Sequence, residues 1–136
     1  MKTIFYIPLV LTLILTVSCG HDPVESDKLV EEGISLLYKG KNDEALSYFE
    51  KAIHYNPENF EAYFYKGNCL ANKKKYREAI DEYSKAIKIK PNYAKAYANR
   101  GEMMFYLGDE VRACLDWKKA ESLGMIELRD KTRGCR

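Results

Sequence analysis

Apolar and small residues recur along this chain at helical spacing. Leu29, Gly33 and Leu36 are four and three residues apart, and Ala45, Phe49 and Ala52 repeat that spacing. Side chains so spaced lie on one face of a helix. Between the two sets, Lys39-Gly40-Lys41-Asn42-Asp43 breaks the pattern and predicts a short turn. Pro57 predicts the end of the second helix, because the residue before a proline is pushed out of the helical region. The unit is an antiparallel helix pair. Its small residues Gly33 and Ala45 admit close approach, and Phe49 fills the space beside them.

The pair repeats. Gly33, Gly67 and Gly101 are 34 residues apart, as are Ala45, Ala79 and Ala113, and Ala52, Ala86 and Ala120. Phe49, Tyr83 and Trp117 form a fourth column, and Leu36, Leu70 and Met104 a fifth. Pro57, Pro91 and Met125 form a sixth. The units read as 26–59, 60–93 and 94–127, leaving 128–136 as a short cap or tail.

On these columns the chain resembles the tetratricopeptide repeat (TPR) family. The second unit carries the pattern best, with Tyr63, Gly67, Leu70, Tyr76, Ala79, Tyr83, Ala86 and Pro91. The resemblance implies an all-α fold, a right-handed α-solenoid of three helix-turn-helix repeats with a short C-terminal capping helix. Some positions depart from the pattern. Glu32, Lys66 and Arg100 replace a common Leu, so that face is expected to carry ion pairs between repeats. Lys74 stands where the other units have Gly40 and Gly108. Asn42 and Glu110 replace the aromatic seen as Tyr76, and Gly124-Met125 replaces the terminal Pro motif. Three repeats are about the minimum for such a stack, and its last face needs a cover. Only Ile126 to Arg133 remains for this, so a weak cap and self-association through the exposed end are the alternative structural reading.

The first helices of such repeats line the concave groove where family members hold peptides. By that resemblance the groove positions here are Asp27, Val30, Glu31, Ile34, Leu37 and Tyr38 from the first unit. The second supplies Glu61, Phe64, Tyr65, Asn68, Ala71 and Asn72, and the third Lys95, Ala98, Asn99, Glu102, Phe105 and Tyr106. Phe64, Tyr65, Phe105 and Tyr106 are the expected aromatic contacts, and the three Asn could hydrogen-bond a peptide backbone. Some of these rings could instead pack between repeats. The family's carboxylate clamp is not expected, because Val30, Ile34 and Tyr65 occupy places where it needs Lys and Asn.

The first twenty residues read differently. Met1-Lys2-Thr3 precedes an uncharged apolar run, Ile4 to Val17, of about 14 residues. A membrane span needs ~20, so the run reads as the apolar part of an export signal. Thr16-Val17-Ser18-Cys19-Gly20 resembles the lipobox of bacterial lipoproteins. That implies a signal peptide at 1–18, acylation of Cys19 and a polar tether at 19–25. An ordinary cleaved signal or an uncleaved anchor would use the same apolar run. Gly20 replaces the Asp of the family's inner-membrane retention signal, so the outer membrane of the cell envelope is favoured over the inner.

Composition narrows the chemistry. With 22 Lys+Arg against 20 Asp+Glu the net charge is +2, no footprint for nucleic acid. Four Cys at irregular spacing make neither a disulfide scaffold nor a zinc finger. Cys69 and Cys114 read as small apolar core residues. Outside the cytoplasm, Cys114 and Cys135 are also a candidate tail staple. His21 and His54 lack ligand partners at metal spacing. No Gly-rich phosphate loop, Ser elbow or Cys–His pattern is present. The expectation is a non-catalytic module without cofactor or metal, whose partner is a protein or peptide.

Overall fold

The computed structural model describes residues 21–135. Met1–Gly20, with the signal-like run and Cys19, lies outside the described residues. The described chain forms three antiparallel helix pairs stacked in order: α1 (Pro23–Tyr38) with α2 (Asn42–Tyr55), α3 (Phe60–Asn72) with α4 (Tyr76–Ile89), and α5 (Ala94–Tyr106) with α6 (Glu110–Ser122). A 3-10 turn (Ile126–Leu128) and α7 (Arg129–Arg133) close the chain against α6. This is the all-α solenoid with a short C-terminal helix.

One contact sets the distance inside every pair. A Cβ added to Gly33 would lie 2.6 Å from the Phe49 ring, to Gly67 2.6 Å from the Tyr83 ring, and to Gly101 2.9 Å from the Trp117 ring. The ring of the second helix lies directly on the first helix's backbone. Ala45, Ala79 and Ala113 have no exposed surface, so the facing helix also presents only a methyl group there. Each aromatic anchors a cluster of buried side chains, which makes the core a series of linked clusters.

The turn from first to second helix is built the same way three times. Lys41 N donates to Leu36 O (3.0 Å), Lys75 N to Leu70 O (2.9 Å) and Asp109 N to Met104 O (2.9 Å). Such a helix end needs a left-handed residue, usually glycine. Gly40 and Gly108 supply it at φ 74° and 81°, and Lys74 does so at φ 59°. An L-residue with a Cβ costs about 1 kcal/mol more than glycine there. The second helices end as proline requires, with Asn56 and Lys90 extended before Pro57 and Pro91.

At the N-terminal end the helix starts inside the expected tether. Asp22 caps α1 by accepting from Glu25 N at 3.0 Å, with Pro23 in the first turn. Asp-Pro-Val-Glu is a helix start, acid at the cap and Glu three residues on. Residues 23–25 therefore belong to α1. Ser26 is fully buried; its hydroxyl donates to Ala52 O and accepts from Asn59 Nδ2, both at 2.9 Å.

At the other end the short cap packs against the third repeat. Leu128 is buried and Met125 half-buried on the third cluster. Thr132 Oγ1 donates to Glu121 at 2.6 Å, and Lys131 lies over the Trp117 ring. Cys114 and Cys135 are joined by a disulfide. Cys114 is thus a half-buried linkage rather than a core thiol, and Cys69 is the buried free cysteine. Burial pushes the Cys69 thiol up to about 11.

The charged column meets its expectation in part. Arg100 holds Asp116 of its own repeat through two hydrogen bonds, 2.7 and 2.8 Å, and reaches back to Ser84 at 3.0 Å. Lys66 pairs with Glu82 inside its repeat (3.7 Å) and with Glu50 of the preceding one (3.3 Å). The pairs join helices within repeats as much as between them, because a long side chain beside the glycine can reach across the narrow gap.

Gly67→Leu tests the central constraint. The added side chain must displace Tyr83, which should cost about 3 kcal/mol and lower the melting temperature by roughly ten degrees. Differential scanning calorimetry measures it, and melting at the parent temperature would contradict the packing described.

Candidate functional site

First helices supply most of one open cleft, with a volume of about 640 Å³. Its lining runs from Leu37 and Tyr38 at the end of α1, across Tyr65, Asn68 and Asn72 of α3, to Asn99, Glu102 and Tyr106 of α5. On α3 and α5 these residues sit at i, i+3 and i+7, the stripe left after neighbouring helices cover the rest. Second helices reach in at two points, Tyr76 and Tyr83, and Lys74 adds the rim of the turn.

A hydrogen-bonded array crosses the middle. Tyr83 OH donates to Asn68 Oδ1 at 2.8 Å, and Asn99 Nδ2 donates to the same oxygen at 2.9 Å. Burial holds the Tyr83 phenol well above the usual range, so it remains a donor. With both acceptor directions of Asn68 Oδ1 used, its amide nitrogen points elsewhere. Among the described residues, Asn68 Nδ2 and Asn99 Oδ1 have no protein partner and are not sealed from solvent. The lining therefore offers one open amide donor and one open amide acceptor.

Aromatic rings flank this array. Tyr65 is half-buried, stacked on Phe49 at 5.8 Å. Burial raises its phenol pKa. Tyr76 stacks on Tyr106 at 5.2 Å. Tyr106 OH donates to Glu102 at 3.1 Å, and that hydrogen bond raises its pKa. Lys131 of α7 holds the other oxygen of Glu102 at 2.9 Å. The one carboxylate of the cleft lining is thus already engaged by Tyr106 and Lys131. Among the described residues no group of His, Cys, Asp and Glu is arranged to hold a metal ion.

The structure brings nine of the sequence-derived groove residues to this cleft: Leu37, Tyr38, Tyr65, Asn68, Ala71, Asn72, Asn99, Glu102 and Tyr106. It places the others elsewhere. Phe64 is only 5% exposed, enclosed by Tyr65, Tyr83 and Tyr93 at 5.0 to 5.8 Å between ring centres. One residue of helix rotation separates it from Tyr65 and turns it into the core. Val30 is buried in the first cluster and Ile34 packs on that cluster half-buried. Lys95 is exposed in the first turn of α5, outside the lining. Phe105 leans on Trp117 at 5.6 Å, also outside it. Tyr83, Tyr76, Lys74 and Met103 were not expected. Tyr83 was legible only as a packing column, yet a tyrosine where the other units have Phe49 and Trp117 signals a polar tip with somewhere to go.

Comparison with known proteins agrees with this architecture. Residues 30–94 match the tetratricopeptide repeat family model. No curated protein matches the chain. Among solved structures, the first TPR of Spaghetti (RPAP3) bound to the HSP90 peptide SRMEEVD is similar. It has 25% identity and a TM-score of 0.80, over 85% of this chain and 93% of that one. YrrB, a TPR protein with an unusual peptide-binding site, has 27% identity and a TM-score of 0.70, over 79% of this chain and 57% of that one. The TPR2AB domain of yeast Sti1 shares the fold at 19% identity and a TM-score of 0.77, over 85% of this chain and 46% of that one.

Asn68→Ala removes the acceptor of a buried phenol and should destabilise the protein by about 2 kcal/mol. Adding Tyr83→Phe to it should recover part of the loss. Urea denaturation of the two variants measures this, and equal stability of Asn68→Ala and parent would show that the array is not formed. The match at residues 30–94 to the tetratricopeptide repeat model thus falls within a solenoid of three helix pairs.

Proposed function

We propose that the chain is a peptide-binding scaffold. Its cleft takes an extended segment of a partner protein, and an acylated Cys19 anchors it to a membrane of the bacterial cell envelope, the outer one by preference. The observation that carries the binding reading is the open pair Asn68 Nδ2 and Asn99 Oδ1 between aromatic walls. A peptide backbone offers an acceptor and a donor at every residue, and main-chain pairing with side-chain pockets is a common way of holding one. Similarity to TPR domains that hold peptides supports it. The cleft offers shape and hydrogen bonds rather than reactive groups, so the proposed module is non-catalytic and needs no cofactor. The anchor rests on the Ser18-Cys19-Gly20 context after the apolar run.

Two experiments test the two halves. A photo-crosslinking amino acid at position 106 should capture a partner in vivo, and one at the exposed Lys51 of α2 should not. Tyr65→Ala with Asn99→Ala should abolish the Tyr106 adduct while circular dichroism is unchanged. An adduct that survives this change would remove the cleft from the binding role. For the anchor, the parent should fractionate with membranes and weigh about a diacylglyceryl group more than residues 19–136. Cys19→Ala should carry no lipid mass. An unmodified parent would reduce the protein to an exported module without lipid.

A further inference from the structure

We infer that Lys74 makes the cleft selective for a segment carrying an acidic side chain; the inference rests on the peptide-binding reading above. The three turns from first to second helix share one hydrogen-bond pattern, and two of them meet its left-handed position with glycine. The third holds Lys74, the one non-glycine residue with positive φ among those described. Folding alone favours glycine there.

Nothing inside the fold compensates. Lys73 pairs with Asp43, and Lys75 with Glu78 at 3.3 Å. Lys74, between them, has no ion pair or side-chain hydrogen bond among the described residues. It borders the cleft with Asn72, Tyr76 and Tyr106. The other charge in the lining, Glu102, is matched by Lys131 and Tyr106. The uncompensated charge of the cleft is therefore positive and sits at the rim beside the Tyr76–Tyr106 stack. Backbone strain retained at a binding surface points to a role for the side chain that requires it. An ammonium on a flexible stem at a solvated rim matches a carboxylate of the incoming segment.

The test pans the full chain, held in detergent micelles, against random peptides displayed at the N-terminus of a phage coat protein. Such peptides have no free C-terminus, so any enriched acid is a side chain. The parent should enrich Asp or Glu at one position. Lys74→Gln, which keeps the strain and removes the charge, should lose that preference. It should bind the selected acidic peptide about fivefold more weakly, the size of an exposed ion pair. Added salt should narrow the gap. Lys74→Gly should melt above the parent while binding as weakly as Lys74→Gln. Equal acid enrichment by parent and Lys74→Gln would overturn the inference with the cleft reading intact. No enriched peptide at all would remove the cleft reading and the inference together. A Lys74→Gly variant melting at or below the parent would overturn it by showing that the turn prefers lysine for folding.

Discussion

The contact between a glycine backbone and an aromatic ring, made once in each helix pair, is the constraint on which the rest of the structure depends. It fixes how close the two helices come at Gly33, Gly67 and Gly101. Close pairs leave the ring no room except across the first helix, so its far edge approaches the opposite surface. In the central unit that ring is a tyrosine, and its hydroxyl emerges where Asn68 and Asn99 meet. A packing device and a polar array thus share one side chain, so the cleft geometry is set by the core rather than by loops. Groups held by packing lose little freedom when a ligand arrives.

The same closeness explains the charged column. Where a leucine would have filled the gap, Lys66 and Arg100 lay their stems along the helix and deliver the charge to Glu82 and Asp116. Asp116 is almost fully covered and has two hydrogen bonds from Arg100, whereas Glu82 keeps one buried oxygen without a partner. A buried pair of this kind is weak evidence for net stability, but losing one member would strand the other. The column therefore constrains which helices can pair more than it strengthens the pairing.

How much of this was legible in the sequence depended on whether a residue's role was periodic. The glycine, alanine and aromatic columns announced the fold, because the same contact recurs at a fixed interval. The stripe Tyr65, Asn68, Asn72 and its echo Asn99, Tyr106 came from the family resemblance instead, which says which face of a first helix lines the groove. The burial of Phe64 and Val30 was not legible, since periodicity along one helix does not say which of two adjacent apolar residues a neighbouring helix covers. Lys74 was visible as a departure from Gly40 and Gly108, but its meaning required the backbone angle. The helix start at Asp22 was legible in Asp-Pro-Val-Glu and was obscured by the polar run around it.

Solenoids open from their ends, where a repeat has a neighbour on one side only. Here both ends are pinned. The first helix is held by Asp22 N to Tyr55 O and by the buried Ser26, and the tail is held covalently to α6 by Cys114 and Cys135. Fraying, the easiest motion of a short repeat array, is thereby suppressed where it would begin. A stack of three then behaves less like a spring and more like a block, and its middle presents one fixed face to whatever it meets. That rigidity is conditional at one end, because a disulfide persists only in an oxidising compartment. In a reducing one the same chain would keep its amino-terminal lock while its carboxy-terminal end rested on the noncovalent contacts of Leu128, Thr132 and Lys131, becoming a molecule that loosens first from a single side.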